Sequence, residues 1–316
     1  MLHSPASVQP PLLCPRCQAE LPTDATCRSC GHVVEMRDGV YQFSRDAYAS
    51  SFGAQWTEFA RTQLDSANRT SISEDRFRAV TGWAPADLSG KSVLDVGCGS
   101  GRFTEVATGW GAEVTALDLS SAVYAARANA AGAERARFVQ ADALGMPFPT
   151  RSFDFAFSIG VAQHTPAPLE FVSAIARAIK PGGQVAVWIY ERTWRALFRP
   201  KYALRPLTRR LPPGWSRSLA AGLVAALFPV AEKIDRAPEP LRTLGLRALP
   251  IACYLGQLPL DRAAHRQWSL LDTVDWYTPR FDSPQTYDDV ANTLRAAGAR
   301  VVERMPVPGV AARAWF

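Results

Sequence analysis

The amino-acid sequence predicts an α/β fold built on a doubly wound, mostly parallel sheet of seven strands. From residue 91 onward, short β-rich runs alternate with alanine-rich helical stretches, which is the pattern of parallel strands joined by helices. Five β-rich runs precede residue 190, and two more end the chain as a predicted strand pair. Clustered cysteines before the sheet and a long helical stretch after its fifth strand indicate two additions to this core.

Length and composition limit the class of protein. The chain has 316 residues, of which 47% are hydrophobic and 20% charged, and this balance excludes a disordered chain. The longest apolar run, residues 219–230, is shorter than the roughly 18 residues of a membrane span. No basic stretch followed by an apolar one opens the sequence, so we expect a cytoplasmic protein without integral membrane association.

The sequence divides into five predicted segments. Residues 1–45 form a metal-binding module, and residues 46–90 form a helical connector. Residues 91–190 form the α/β core, residues 191–284 a helical insertion, and residues 285–316 a helix and strand pair that complete the core. The insertion is too apolar to be a linker, and its length suits a lid over a binding site.

Four cysteines near the N-terminus predict a metal site. Cys14, Cys17, Cys27 and Cys30 make two C-x2-C pairs, which can present four thiolates to one tetrahedral ion, and structural Zn²⁺ is the natural occupant. So short a segment has too small a core to fold alone, so the metal would stabilise it. Two disulfides are disfavoured in a cytosolic chain, and a redox pair lacks thioredoxin-like surroundings. His32 is an alternative fourth ligand in place of Cys30.

Helix signals lie on both sides of the core. Apolar and aromatic residues at three- and four-residue spacing predict a helix over residues 46–64, and Ser71 with Glu74 makes a capping box for a second. In the core, Thr165 and Pro166 predict the N-cap and first residue of a helix over 165–179. A final helix is expected from Ser283 to residue 297.

The run VLDVGCGSG places a G-x-G-x-G turn between a buried strand and a helix. A dinucleotide fold needs G-x-G-x-x-G, and Arg102 stands at the third glycine position, which disfavours nicotinamide dinucleotides. Asp95 precedes the turn, where a carboxylate suits a cationic ligand better than a pyrophosphate. Asp118 and Asp142 end the next two strands, at the edge where an open α/β sheet binds ligands. Asp118 can accept the hydroxyls of an adenosine ribose, and Asp142 can meet the adenine amino group.

Five stretches carry a family resemblance: VLDVGCGSGRFT, VTALDLS, ADALGMPF, FDFAFSIGVAQHT and AIKPGGQVAVWIY. In order and spacing they resemble class I S-adenosylmethionine-dependent methyltransferases of the methyltransferase type 11 group, which implies a Rossmann-like methyltransferase sheet. Residues 12–43 resemble the zinc ribbons found before some methyltransferase domains.

The resemblance implies a cofactor site for S-adenosylmethionine. Its methionine part would lie against the glycine turn with its ammonium near Asp95, its ribose would meet Asp118, and its adenine would meet Asp142 and Ala143. The expected cofactor-binding residues are Asp95, Gly97, Gly99, Gly101, Asp118, Leu119, Asp142, Ala143 and Ser158.

The sequence carries fewer signals for the residues that bind the methyl acceptor than for those that bind the cofactor. Members of the group often have two histidines after the fourth strand, where this chain has Gln163 and His164, so His164 is the candidate general base or substrate contact. Asp275, Tyr277 and Arg280 in the insertion are further candidates. The apolar helix and aromatic residues of the insertion favour a hydrophobic or planar acceptor.

Three functions fit these observations. Methylation of a small organic or lipid-like metabolite is favoured by the apolar insertion. RNA methylation, as in ribosomal RNA enzymes with a zinc module, is the alternative: the net charge is +6, and residues 192–217 hold seven arginines and Lys201 with no acid. Those residues also fit a solvated helical face. Against RNA, Ser158 to Val161 replace the Asn/Asp-Pro-Pro-aromatic motif of enzymes that methylate exocyclic base nitrogens. A non-catalytic, cofactor-binding partner subunit is the third function, and the oligomeric state is not predicted.

Overall fold

The computed structural model describes residues 9–44, 50–130, 134–194 and 200–316. The chain divides into two compact units. Unit 1 comprises Met1–Ala60, Ser73–Glu191 and Phe281–Phe316, and unit 2 comprises Arg61–Ile72 and Arg192–Arg280. The division by function into five segments stays a prediction. The first residues of the helix predicted over 46–64 and Arg195 and Arg199 of the arginine-rich stretch lie outside the described residues.

The secondary structure alternates as predicted through the core. The strands are β1 (Leu12–Leu13), β2 (Glu20–Leu21), β3 (Glu35–Arg37), β4 (Val40–Gln42), β5 (Ser92–Val96), β6 (Glu113–Asp118), β7 (Ala136–Gln140), β8 (Phe153–Ile159), β9 (Ile179–Ile189), β10 (Val301–Arg304) and β11 (Val310–Trp315). The helices are α1 (Ser50–Glu58), α2 (Asp65–Asn68), α3 (Ile72–Thr81), α4 (Pro85–Leu88), α5 (Arg102–Gly109), α6 (Ala122–Asn129), α7 (Pro168–Arg177), α8 (Pro200–Thr208), α9 (Pro213–Asp235), α10 (Leu241–Ala248), α11 (Arg262–Tyr277) and α12 (Tyr287–Ala296).

The main sheet has the order β10-β11-β9-β8-β5-β6-β7-β4-β3. Strands β5 to β9 are parallel to their neighbours in this group, and β11 is antiparallel to β9 and to β10, which confirms the α/β class and the final strand pair. The chain runs from β5 to β6 and β7 on one side and to β8 and β9 on the other. The reversal puts the ligand-binding crevice of a doubly wound sheet at the carboxyl ends of β5 and β8.

The sheet has nine strands rather than the predicted seven, because the end of the cysteine module joins it. The β3–β4 hairpin turns at Asp38 and Gly39, both with positive φ, and β4 pairs in parallel with β7, with Val40 opposite Phe138. Val40 is fully buried. An Asp-Gly pair between apolar runs is a hairpin signal, but the partner strand lies about a hundred residues away in sequence, so the addition could not be predicted from local pattern.

Aromatic side chains fill one face of the sheet in unit 1. Phe77 of α3 contacts the rings of Trp83, Phe103, Trp110 and Phe157 at centroid distances of 4.9–6.1 Å. The helix predicted from the Ser71–Glu74 signal is therefore real, and its apolar positions hold it against the sheet. Aromatic pairs of this kind stabilise beyond the area they bury.

Several helix ends differ from the predicted ones. The first residue of α7 is Pro168 and not Pro166, because residues 162–164 form a separate 3-10 turn and the Thr165 hydroxyl donates to the Ala162 carbonyl. The helix predicted over 46–64 ends at Glu58. The last helix, α12, is capped by Thr286 with Asp289 and not at Ser283. At α7 and α12, a nearer turn or side-chain cap replaces the predicted one.

Unit 2 has a helical core of its own. Along α9, Ala220, Val224, Phe228 and Ala231 form a stripe with at most 1% exposure, and this stripe packs against residues of α10, the segment after α10, and α11. The predicted helical character of residues 191–284 is confirmed for the part the structure describes. Among the described helices, none combines the length and apolar character needed to cross a membrane.

Candidate functional site: the carboxyl edge of the parallel sheet

The glycine turn follows β5 in a conformation that glycine alone adopts easily. Gly97, Gly99 and Gly101 have φ of +80°, +54° and +89°. A Cβ on Gly97 would lie 2.5 Å from both methyl carbons of Val161, and one on Gly101 would lie 3.2 Å from Ala126. The turn is fixed by the Gly97 N–H, which donates to the Leu117 carbonyl at 2.7 Å. Because these positions lack a Cβ, the backbone of the turn can lie close to the edge of the sheet.

Asp118 joins the glycine turn to the end of β6. Its Oδ2 accepts the Gly99 N–H at 2.9 Å, and its Oδ1 accepts the Ser120 N–H and hydroxyl at 2.8 and 2.7 Å. Burial raises the pKa of the Asp118 carboxyl, against the lowering effect of these donors. A carboxylate offers about four acceptor positions, and three are used here. One position therefore remains for a further hydroxyl donor, and accepting two requires Ser120 to turn away.

Asp95 is a buried carboxyl on the neighbouring strand, β5. It is 3% exposed, and its Oδ2 accepts the Thr104 hydroxyl at 2.6 Å. Desolvation raises the pKa of Asp95 to about 7, the Thr104 hydrogen bond opposes this shift, and the negative charge of Asp118 adds to it. A cation placed beside Asp95 would relieve this cost, because an opposite charge favours the ionised form.

The other predicted cofactor residues lie at neighbouring strand ends. Asp142 follows β7, and its Oδ1 accepts the Leu144 N–H at 2.9 Å, which caps the 3-10 turn that begins at buried Ala143. The Ser158 hydroxyl on β8 donates to the Val96 carbonyl at 2.8 Å, so it ties β8 to β5. The backbone carbonyl of half-buried Leu119 accepts the Gln140 side-chain amide at 3.1 Å. Their roles toward a cofactor stay predictions.

His164 lies on the 3-10 turn after β8. It is 6% exposed, its Nδ1 is 3.1 Å from the Phe281 carbonyl oxygen, and its ring meets Tyr190 edge-on at 5.6 Å. Because a carbonyl only accepts, this contact requires the proton on Nδ1 and leaves the basic lone pair on Nε2.

Gln163, beside His164, was not singled out for a role from sequence. It is fully buried, and neither its amide oxygen nor its amide nitrogen has a hydrogen-bond partner among the described residues. Ser100 in the glycine turn is 1% exposed, and its hydroxyl also lacks a hydrogen-bond partner among the described residues. Buried polar atoms without partners are costly, so each marks a position where a ligand or water can bind. Trp56 of α1 was also missed: its indole lies 3.3 Å from where a Cβ on Gly99 would be.

The candidates in the insertion belong to unit 2. Tyr277 is fully buried, and its hydroxyl donates to the Pro250 carbonyl at 2.9 Å. Burial raises the pKa of Tyr277 to about 12, which disfavours it as a base. Trp268 is also buried, Asp275 is half-buried and Arg280 is exposed. The buried aromatic residues thus contribute to the core of unit 2.

The four clustered cysteines lie together. The sulfur atoms of Cys14, Cys17, Cys27 and Cys30 all lie within 4.8 Å of one another, with Cys14–Cys30 at 3.7 Å and Cys17–Cys27 at 3.5 Å. Sulfurs bound tetrahedrally to zinc at about 2.3 Å are separated by about 3.8 Å. Backbone N–H groups of Cys30 and Ser29 lower the pKa of Cys27 to about 6, whereas hydrogen bonds with the neighbouring cysteines raise the pKa of Cys17 against the lowering effect of the Ala19 backbone. The donor set therefore fits Zn²⁺, and His32 is not part of it.

The part of the chain that carries this sheet edge matches a known protein family. Residues 94–187, from β5 to β9, match the methyltransferase domain family. The match includes the glycine turn, Asp118, Asp142 and His164, and it confirms the predicted resemblance.

Relatives of this chain carry the names of several different methyltransferases. A ubiquinone biosynthesis O-methyltransferase of Nitrosococcus oceani is 36% identical over 39% of this chain and 56% of its own length. A fatty-acid O-methyltransferase of Mycolicibacterium smegmatis is 34% identical over 50% and 52%. A sterol 24-C-methyltransferase of Gibberella zeae is 37% identical over 33% and 29%. The chain thus spans between about a third and a little over half of these relatives' length.

The pKa of Asp95 predicts how stability changes with pH. The unfolded chain loses this proton near the ordinary pKa of 3.8, whereas the ligand-free folded protein keeps it to about 7. The unfolded state therefore binds fewer protons in this window, and the contribution of Asp95 to stability falls as pH rises through it. We expect the free energy of unfolding of Asp95→Asn, relative to that of wild type, to increase from about pH 4 to pH 7. Above pH 7 the difference between the two proteins should stay constant. Denaturant titrations of both proteins measure this, and parallel curves throughout would contradict the burial of the charge.

Proposed function

We propose that the protein is an enzyme that transfers a methyl group from S-adenosylmethionine to a small, lipid-like organic acceptor. The single observation that supports this most is the Asp118 carboxylate bound to the Gly99 N–H at the carboxyl ends of β5 and β6, inside a methyltransferase domain. The Asp118 carboxylate and the glycine turn lie together at the edge where open α/β sheets bind ligands.

The cofactor supplies an electrophilic methyl group on a sulfonium sulfur. We assign its cationic methionine end to Asp95 and the Gly97–Gly101 turn, because the buried Asp95 carboxyl is hydrogen-bonded to the neutral Thr104 hydroxyl and is destabilised by the like charge of Asp118. Asp118 with Leu119 takes the ribose, and its remaining acceptor position suits one hydroxyl. Asp142 and Ala143 would hold the adenine, and the Ser158 hydroxyl ties β8 to β5.

Transfer of a methyl group needs an acceptor held in line with water excluded, and positioning supplies most of the rate. We assign the acceptor side to Gln163 and His164. Nε2 of His164 takes the acceptor's proton where the acceptor is a hydroxyl, while the Phe281 carbonyl fixes the ring through Nδ1. The buried Gln163 amide offers a donor and an acceptor for orienting the same molecule.

The substrate class rests on the relatives and on the insertion. The names of three relatives specify ubiquinone biosynthesis, a fatty acid and a sterol, all lipid-like. The predicted insertion of residues 191–284 is the part outside the matched domain with the apolar content to select such an acceptor. We therefore propose that the insertion sets acceptor choice and that RNA is not the substrate.

The four cysteines are proposed to hold a structural Zn²⁺. Cys14 and Cys27 are buried in the same apolar cluster as Val139 at the end of β7 and Ala143 beyond it. Four protein ligands leave no open coordination position, so the metal would stabilise the fold and take no part in methyl transfer.

The function predicts where a methyl label goes. Purified protein, S-adenosylmethionine labelled on its methyl group and a lysate of the source cells should yield label in the organic-soluble fraction, because the acceptor is apolar. Scintillation counting of the organic, RNA and protein fractions measures it. Label in RNA would overturn the acceptor class, and cofactor binding without label in any fraction would indicate a non-catalytic subunit.

The ribose assignment predicts the effect of Asp118→Ala. Loss of a charge-assisted hydrogen bond should weaken S-adenosylmethionine binding by about 1.5 to 3 kcal/mol, roughly one to two orders of magnitude in Kd. Calorimetric titration measures it. Asp288→Ala, which removes an exposed carboxylate in the first turn of α12, is the matched control and should bind like wild type. Equal affinity of Asp118→Ala and wild type would refute the role of Asp118.

The metal proposal predicts stoichiometric zinc. Elemental analysis of purified wild type should find one zinc per chain, and Cys14→Ser should lose it and unfold at lower temperature, because four-thiolate coordination supplies stability to a small module. Cys253→Ser removes a half-buried thiol outside the cluster and should keep the metal. Zinc-free wild type with an unchanged melting temperature after chelation would contradict the site.

A further inference from the structure

The turn between α8 and α9 of unit 2 presents large apolar side chains to solvent. Leu207 is 59% exposed and Trp215 is 72% exposed. The turn itself is well fixed, because the buried Ser216 hydroxyl donates to the carbonyl of buried Thr208 at 2.8 Å. Leu207 at the end of α8 and Trp215 at the start of α9 therefore flank a turn that this hydrogen bond closes.

The outward face of α9 continues this apolar surface. From Ser218 to Ala231 the helix has no charged residue, although Gly222, Ala225, Ala226, Pro229 and Val230 face solvent. Val230 alone is 42% exposed. The inward face is a separate stripe already packed in the core of unit 2. The helix is thus apolar on both faces along its middle, which is unusual for a helix in contact with water.

Basic residues stand at the same end of this surface. Arg209 and Arg210 follow α8 directly and are exposed, and neither forms an ion pair with a described residue. The sequence from 192 to 217 contains no acid. Exposed cations beside exposed Trp and Leu form a surface with an apolar part and a positive rim.

We propose that this surface, comprising Leu207, Arg209, Arg210, Trp215 and the outward face of α9, docks the protein peripherally on an anionic phospholipid membrane. Interfacial helices combine an apolar face with Lys or Arg at its border, and tryptophan is favoured at the level of the headgroups. Arginines beside the surface attract anionic lipid headgroups. The helix lies in the plane of the interface and does not span it.

The apolar part selects a membrane over RNA as the partner. RNA would satisfy the arginines and could stack on Trp215, but it has no place for Leu207 or for the aliphatic face of α9. The docking surface stands on exposure and charge in unit 2 and does not depend on methyl transfer, although it would bring the enzyme to the phase in which a lipid-like acceptor dissolves.

The test is sedimentation of the full-length protein with vesicles, without cofactor or acceptor. The protein should bind vesicles of phosphatidylcholine with phosphatidylglycerol and bind pure phosphatidylcholine vesicles far more weakly, and added salt should release it. Arg209→Gln with Arg210→Gln should lower partitioning about 30-fold, equivalent to about 1 kcal/mol for each basic residue. Leu207→Gln with Trp215→Gln should lower it about tenfold or more, through lost apolar burial.

Matched variants control for charge and for apolar exposure elsewhere. Arg266→Gln with Arg300→Gln removes two other exposed arginines, and Met36→Gln with Val301→Gln removes apolar side chains that are 52% and 56% exposed. Both control proteins should bind vesicles like wild type. Because all substituted side chains are exposed, circular dichroism should show every variant folded.

Three results would overturn the proposal. The first is no binding of wild type to anionic vesicles. The second is salt-sensitive binding to single-stranded RNA that needs Arg209 and Arg210 but is indifferent to Leu207→Gln, which would identify a nucleic-acid surface. The third is a wild-type dimer in lipid-free solution that Trp215→Gln dissociates, which would show that a second copy of the chain covers this face.

Discussion

Two carboxyls at the ends of adjacent parallel strands, buried Asp95 and half-buried Asp118, are the constraint on which the candidate site depends. Asp95 and Asp118 both lie where desolvation opposes ionisation, and the charge of Asp118 raises the pKa of Asp95 further. Such a pair is costly in a protein without a ligand. A cation and hydroxyl donors bound beside the pair would favour the ionised carboxyls. The two groups that lower the stability of the folded protein therefore strengthen ligand binding. The Gly97–Gly101 turn follows from the same need, because only glycine lets the backbone pass between Val161 and the α6 residue Ala126.

The cysteine module is integrated with this sheet edge. Strand β4 extends the sheet beyond β7, the Phe43 and Ser44 N–H groups both donate to the Gln140 carbonyl, and the Leu13 N–H donates to the Pro147 carbonyl in the segment after Asp142. The segment assigned to adenine is therefore held between the parallel core and the module. A metal ion at the four thiolates would stabilise that segment, and a purely structural ion would thereby be connected to the proposed cofactor site.

The order of elements and the acids at the strand ends could be predicted because they depend on local rules: alternation, a turn that needs glycine, and carboxylates at the edge of a parallel sheet. The clustering of the four cysteines likewise follows from spacing. The β3–β4 addition could not be found this way, since β4 pairs with a strand far away in sequence. Gln163 and Trp56 were not predicted from sequence. Gln163 stands out by its burial and Trp56 by its contact with the glycine turn, and neither property has a sequence signature. Pro166 was misassigned because two prolines follow His164 within four residues, and the 3-10 turn decides which one begins the helix.

The most direct test of the proposed cofactor site is a crystal structure of the protein with S-adenosylhomocysteine, the product form of the proposed cofactor. We expect ligand density at the carboxyl ends of β5 and β6, with a ribose hydroxyl within hydrogen-bond distance of Asp118 and the ammonium group near Asp95. Density elsewhere on the chain, with Asp118 bonded only to Gly99 and Ser120 as it is without ligand, would contradict it.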